Sequence, residues 1–298
     1  MSEANTVGQP TTQARNIPIR RVDLGFDADP TPNDYYRGDP HLTAVLNALS
    51  TFFPDGERFF VEAVRHYRDR ITDPKLAADI AAFIGQEAMH AKQHEQFNSL
   101  NEQNGLASAK LGDRIARGLL GRARRLLPPR ARLGITCALE HYTAILAEQM
   151  LTDDAHRESL RGRARELWLW HALEETEHKA VAFDVYEAIG GTYAMRVRTM
   201  IPASVFFIAA TIVVYFAMTA DRGVLYDLRG HLRVFDYLWL RRGLFRSLIG
   251  PYVEYYRRDF HPNDRDTRGL VDQWNEALFG DAGALRERLF RKKTPATA

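Results

Sequence analysis

Two short runs in this 298-residue sequence each place a glutamate three residues before a histidine. They are Gln86-Glu87-Ala88-Met89-His90 and Glu175-Thr176-Glu177-His178. On a helix, residues at i and i+3 share a face, so a carboxylate oxygen and an imidazole nitrogen point the same way. One such pair can converge on a divalent cation, and two pairs on separate helices can hold two. A lone glutamate from each of two further helices can then bridge the cations. Glu57 and Glu140 are the natural bridging residues. His171 adds the most specific spacing, because His171, Glu175 and His178 stand at i, i+4 and i+7 on one face. Phe83 holds the matching position on the other helix, so one metal should be richer in nitrogen than its neighbour. The expected ligands are therefore Glu57, Glu87, His90, Glu140, His171, Glu175 and His178.

Each choice has competitors. A single Glu-x-x-His run is weak evidence, and a solvated charge stripe is the bland alternative; the duplication on two helices argues against it. Glu62 competes with Glu57, but Phe53, Phe60, Val61 and Val64 surround the Glu57 face. Glu174 and Glu177 lack the spacing of Glu175 and are expected in solvent or behind the ligands. His94 falls at i+7 from Glu87, where it is either a proton donor or acceptor behind the metal or a satisfied core histidine. His261, before Pro262, has no second ligand nearby and is expected away from the site. Ile80, Phe83 and Ile84 share the face of Glu87, while Leu133, Thr136, Cys137, Ala144 and Ala147 share that of Glu140. Both carboxylates therefore point into a core, where an unpartnered charge costs several kcal/mol and a cation removes the penalty.

Apolar residues recur at three and four from His41 onward, so the expected fold is all-α. Helices are predicted at about 41 to 52, 54 to 70, 73 to 104, 131 to 151 and 156 to 189. Pro54, Asp73-Pro74 and Pro128-Pro129 open three of them, and Asn104-Gly105 and Gly190-Gly191 close two. An Arg-rich connector separates the two helical pairs. A long crossover of that kind is the connectivity of a ferritin-like four-helix bundle, here with additional C-terminal helices. Three regions are expected: a loosely ordered arm over 1–39 that packs near Ile17 to Leu24, the di-metal bundle over 40–190, and an apolar helix with a basic extension over 191–298.

Lys and Arg number 40 against 38 Asp and Glu, so overall charge gives no argument for nucleic acid. The single cysteine, Cys137, excludes an intrachain disulfide and fits a reducing compartment. The polar N-terminus lacks a secretory core, so a cytoplasmic location is expected. Residues 200 to 219 carry no charge, and about 20 apolar residues can span a bilayer. Arginines flank both sides, so a span, insertion at the inner membrane surface and burial within the protein all stay open. Arg114 to Arg132 and Arg229 to Arg258 are basic amphipathic stretches that suit an anionic membrane or a solvated face.

The ligand pattern resembles the carboxylate-bridged di-iron proteins of the ferritin-like superfamily. The His-x-x-x-Glu-x-x-His run is similar to that of the di-iron arylamine N-oxygenases. From about residue 40 to 275 the chain also resembles a bacterial family labelled predicted metal-dependent hydrolases. That resemblance rests on Phe53-Pro54-Asp55-Gly56-Glu57, on Phe83 to His90 with His94, on Ala138-Leu139-Glu140-His141, on His171 to Lys179 and on Asp259-Phe260-His261-Pro262. The resemblances imply two iron ions, with manganese an alternative, and dioxygen as co-substrate if the protein is an oxygenase or oxidase. A two-metal hydrolase that activates water and a non-catalytic iron-binding protein are the other readings. A small, lipophilic substrate, an external electron donor and a second copy of the chain complete the expected partners.

Overall fold

The computed structural model describes residues 16–26 and 31–290, so residues 1–15 and 27–30 of the expected arm, and 291–298 of the extension, lie outside the described residues. Among the described residues the chain is helical, with only isolated bridges such as Val22 to Leu289. The first helix, α1 (Pro40–Ser50), starts where the Asp39 carboxylate accepts from the amides of His41 and Leu42. It leads into α2 (Phe53–Arg65), whose first turn holds Pro54. Asp73 caps α3 (Pro74–Gln103) in the same way through the Lys75 amide, and Gly105 at φ 92° turns the chain out of it. At the starts of α1 and α3 an aspartate oxygen thus satisfies amides that have no partner inside the helix.

The Arg-rich connector contains a helix, α4 (Ala109–Leu126), whose inner face holds Ala109, Gly112 and Ala116. Next come α5 (Pro129–Thr152) and short α6 (Asp154–Glu158). The single helix expected over 156–189 is divided: α7 (Gly162–His178) begins at Gly162, φ 60°, and a bend at Lys179 and Ala180 separates it from α8 (Val181–Ala188). Both bend residues keep right-handed helical dihedrals, so no glycine or proline marks the break. After these lie α9 (Tyr193–Asp221), α10 (Leu228–Phe235), a π turn over 236–240, α11 (Leu244–Ser247), α12 (Ile249–Glu254) and α13 (Arg268–Phe279).

Helix α2 packs on α3 and α5, and α7 packs on the same two, so the four close a ring. One end is filled by Phe59, Phe60, Val64, Ile80, Phe83 and Leu133. The other is filled by Phe97, Leu167, Trp170 and Leu173. Removing one such buried ring costs roughly 3–5 kcal/mol. The segment of α3 from Glu87 to His94 lies between these two apolar plugs, and the polar centre is built there. Helix α9 runs along α5, α1 and α4. Residues 16–26 cover the opposite flank with Val22 and Leu24 fully buried.

Close approach fixes where α10 sits. A Cβ on Gly230 would lie 2.0 Å from Nε2 of the buried His41 ring. Alanine raises helix propensity by about 1 kcal/mol over glycine, but overpacking a filled contact costs about 1–3 kcal/mol. Gly230→Ala should therefore lower the thermal midpoint by a few degrees, as read by calorimetry. An unchanged or higher midpoint would show that α10 is free to move off α1.

Candidate metal centre

Every side chain of the expected ligand set is buried. Glu87, His90 and His178 are fully enclosed, and Glu57, Glu140, His171 and Glu175 are nearly so. They form two groups whose donor atoms lie within 4.8 Å of one another: Glu57, His90, His171 and Glu175 in one, and Glu87, Glu140, Glu175 and His178 in the other. Each group can hold a metal ion. Glu175 is common to both, with Oε1 2.9 Å from His171 Nε2 and 3.5 Å from His90 Nδ1, and Oε2 3.6 Å from His178 Nε2. The shared carboxylate is thus Glu175, whereas Glu57 and Glu140, expected to bridge, each stand in one group. Residues three apart on a helix also differ by about 4.5 Å along its axis. Glu87 and His90 accordingly reach different groups.

The first group holds two imidazoles and the second one, so the two are chemically unequal. The competitors are resolved by position. Glu62 is exposed and pairs with Arg124, while Glu174 and Glu177 sit behind the centre with the buried Arg20. His94 is fully buried behind His171. His261 lies outside the centre, where its Nε2 donates to Asp184 at 2.8 Å.

The hydrogen bonds around the three imidazoles fix which nitrogen is left bare. Asn98 Nδ2 donates to the Ser50 carbonyl at 3.0 Å, so its Oδ1 faces Ser50 Oγ and accepts from it at 2.7 Å. Ser50 Oγ must then accept from His94 Nδ1 at 2.8 Å, which leaves His94 Nε2 to accept from His171 Nδ1 at 2.6 Å. The lone pair of His171 is thereby placed on Nε2, toward Glu175. Gln86 is oriented similarly, because its Nε2 donates to the Pro18 carbonyl and to Glu177. Its Oε1 accepts from His178 Nδ1 at 2.9 Å, leaving His178 Nε2 bare 3.0 Å from Glu87. His90 Nε2 donates to Glu174 at 3.0 Å, and Arg20 holds that carboxylate from behind. All three rings therefore aim an acceptor at carboxylate oxygens, which are acceptors too.

Two acceptors face to face repel unless a cation or a proton lies between them. Nine buried polar atoms without a hydrogen-bond partner gather at this spot: both oxygens of Glu57, Glu87 and Glu140, Glu175 Oε2, His90 Nδ1 and His178 Nε2. Without cations, burial pushes the Glu57 carboxyl well above the ordinary range, and repulsion from Glu87 adds to the rise. Burial and then Glu87 do the same to Glu140. Glu87 is raised by burial and by Glu175. Glu175 is held well below the range, since His178 and His171 outweigh the opposing effect of its burial. Burial, opposed and outweighed by Glu174, leaves His90 well above the usual imidazole value, and His178 rises likewise against Glu175. Burial and the neighbouring His90 hold His171 down to about 4. The donor set fits two divalent cations, whose charge would reverse the carboxylate shifts.

Of the residues that orient the rings, His94 and Glu174 were placed behind the ligands from sequence, whereas Arg20, Ser50, Asn98 and Gln86 were not. Arg20 stands 67 positions before Glu87 in a segment without periodicity, and Ser50 and Asn98 lie on helix faces that read as ordinary core. Gln86 could have been found, since it neighbours Glu87 on the inward side.

A family model described as a predicted metal-dependent hydrolase matches residues 18–266, well over half of the chain. No curated protein and no solved structure matches.

The direction of these shifts sets a pH dependence. Above the ordinary histidine value of about 6.5, His171 and His94 are neutral and Glu175 is ionised in folded and unfolded chains alike. The groups still titrating at the site, Glu57, Glu87, Glu140, His90 and His178, bind protons more tightly when folded. Their contribution is lost as pH rises through the raised values. Lys179, lowered to about 8 by burial, begins to act oppositely only above that pH. Chelator-treated protein should therefore lose thermal stability from about pH 6.5 to 8, and manganese-loaded protein should not. Equal slopes with and without metal would contradict the cation assignment.

Proposed function

The chain belongs to the predicted metal-dependent hydrolase family, and on that premise we propose that it is a two-metal enzyme that oxidises a small apolar substrate with dioxygen. The observation that carries the reading is Glu175, one buried carboxylate shared by two unequal donor groups. Oxygen and imidazole donors without thiolate suit iron, with manganese second. The ring of α2, α3, α5 and α7 supports placing the bundle among ferritin-like di-iron proteins. His171, four residues before Glu175, supports the likeness to the arylamine N-oxygenases. Glu57, His90, His171, Glu175, Glu87, Glu140 and His178 would hold an iron pair, which would make the centre able to reduce dioxygen with electrons from an external donor.

The surroundings of the centre favour this chemistry over hydrolysis. A cavity of about 70 Å³ reaches His171, with Leu49, Phe53, Trp168 and Ala172 beside the imidazole. The Phe53 ring stands 4.5 Å from that of His171. These walls exclude water from the nitrogen-rich side and offer an apolar molecule contact without hydrogen bonds. The relay from His171 through His94 and Ser50 to Asn98 keeps the ring from turning. It also gives the imidazole Nδ1 proton a fixed acceptor, which makes Nε2 a stronger donor to a cation.

Hydrolysis is the second reading, and two observations favour it. The family description is one. The other is a cavity of about 20 Å³ on the opposite side, where Glu140, Thr176 and Lys179 offer polar groups suited to a water molecule. A metal pair can lower the pKa of such a water.

Two measurements separate the readings. Protein loaded anaerobically with ferrous ion should consume dioxygen in proportion to the iron bound, and Glu140→Ala and Glu175→Ala should lose metal by elemental analysis. His171→Ala should keep the second group's metal but consume dioxygen at least about tenfold more slowly. Ferrous protein inert to dioxygen, with ester or phosphoester cleavage under several divalent metals, would install hydrolysis instead. Full metal occupancy in both glutamate variants would refute the centre itself.

A further inference from the structure

The long apolar helix α9 is not enclosed by the protein. Over its most apolar window the mean hydropathy is 2.2, yet only 33 % of that window is buried. Its inner face, with Met200, Val214 and Met218, packs on the bundle, while Val205 (59 %), Phe206 (55 %) and Val213 (51 %) stand open. Single exposed apolar residues are ordinary, but a contiguous field of them marks an interaction surface. The field continues on α10, where Leu228, Leu232 and Phe235 are exposed at i, i+4 and i+7. Trp239 and Leu240 of the π turn, and Ile249 and Val253 of α12, extend it.

Arginines rim this field. Arg229 and Arg233 each follow an exposed leucine of α10, and Arg241, Arg242 and Arg246 follow Trp239 and Leu240. Arg198, Arg229 and Arg246 make no ion pair among the described residues. The acids of these elements are engaged within the protein: Asp227 caps α10 and faces His41, Asp236 meets Arg241, and Glu254 meets Arg265. Arg233 pairs with Asp39, Arg241 with Asp236 and Arg242 with Asp153, so the unpaired positive charge of the rim lies on Arg198, Arg229 and Arg246. An apolar field with interfacial tryptophan and a basic rim is complementary to anionic lipid. Because α9 lies along α5, α1 and α4, lipid cannot surround it, so a bilayer meets it side-on rather than being crossed.

The field surrounds an open cleft of about 570 Å³, within the range of about 300–1,000 Å³ that holds small ligands. Phe207, Ile212, Phe216, Phe235, Trp239 and Ile249 line it. Val45, Leu49, Leu146, Leu238 and Phe245 line both this cavity and the smaller one that reaches His171. Apolar side chains thus run from the exposed face to a metal-facing imidazole, with one shared wall between.

We propose that this face docks on an anionic bilayer and that the two cavities form the route by which a membrane-dissolved apolar molecule, such as an alkyl chain, reaches the centre. The docking stands on the surface alone. The route rests on the enzymatic reading given above.

Flotation of the full chain with vesicles tests the docking. Protein should float with equimolar phosphatidylglycerol and phosphatidylcholine and bind phosphatidylcholine alone far more weakly. A Val205→Ser, Phe206→Ser, Val213→Ser variant should lose about tenfold in partitioning with helicity and metal content unchanged. Arg229→Glu with Arg246→Glu should abolish the preference for anionic lipid. Brominated lipid should quench Trp239, and Trp239→Phe should remove that quenching. Failure of the wild-type protein to float, or equal flotation of the serine variant, would overturn docking. So would a dimer that the serine variant converts to monomer without any vesicle affinity. Glu140→Ala should float normally, so loss of the centre and loss of docking are read separately. For the route, 12-bromododecanoic acid should quench Trp168, and Leu49→Phe with Leu146→Phe should suppress the quenching while flotation persists. Absence of Trp168 quenching in the wild-type protein would overturn the route.

Discussion

Four buried carboxylates and three imidazoles share one small volume in this bundle, and their mutual repulsion is the constraint that the surrounding structure answers. They are almost wholly buried, so each unneutralised charge would cost several kcal/mol. Protons answer part of it, which is why Glu57 and Glu140 shift upward when no cation is present. Two divalent cations would answer all of it, because they would meet oxygens and nitrogens that otherwise have no hydrogen-bond partner. The apolar plugs around Phe83 and Phe97 hold the ring of helices closed at this expense.

Orientation comes from a second layer of polar residues, and it comes from distant parts of the chain. Arg20 reaches Glu174 and Glu177 from the N-terminal segment, and the Pro18 carbonyl orients Gln86. The segment over 16–26 therefore contributes to the ring orientation of His90 and His178 as well as covering the core. Ser50 at the end of α1 and Asn98 on α3 do the same for His171 through His94. Each imidazole donates to a different side chain, Glu174, His94 or Gln86, and Arg20 links the supports of His90 and His178 through Glu174 and Glu177.

The residues of the centre were legible because burial of a charged side chain breaks an otherwise apolar helix face, and four such breaks repeat across the sequence. Periodicity gives the face but not the depth along the axis. That is why Glu57 and Glu140 read as bridges while Glu175 holds the shared position. Helix starts with Asp-Pro or Pro-Pro were equally legible, since capping is local. The bend at Lys179 and Ala180 was not, because both residues keep helical dihedrals and no glycine or proline signals it. Helix α4 reads as a connector because its arginines dominate the pattern, although Leu111, Ile115, Leu120 and Ala123 pack on the core beside the buried Ala109, Gly112 and Ala116. The roles of Arg20, Ser50 and Asn98 depend on tertiary contact and carry no sequence pattern.

The two sides of the centre differ in a way that chemistry can use. On the side of His171 the near walls are Phe53, Trp168 and Leu49, so an entering molecule gives up water and gains contact. On the side of Glu140 stand Thr176, Lys179 and Arg265, whose polar groups suit a water molecule. Glu175 lies between the two sides, with one oxygen toward each. A change in charge at one metal would then be felt at the other through a single carboxylate, and the unequal nitrogen count decides which of the two holds its charge more tightly.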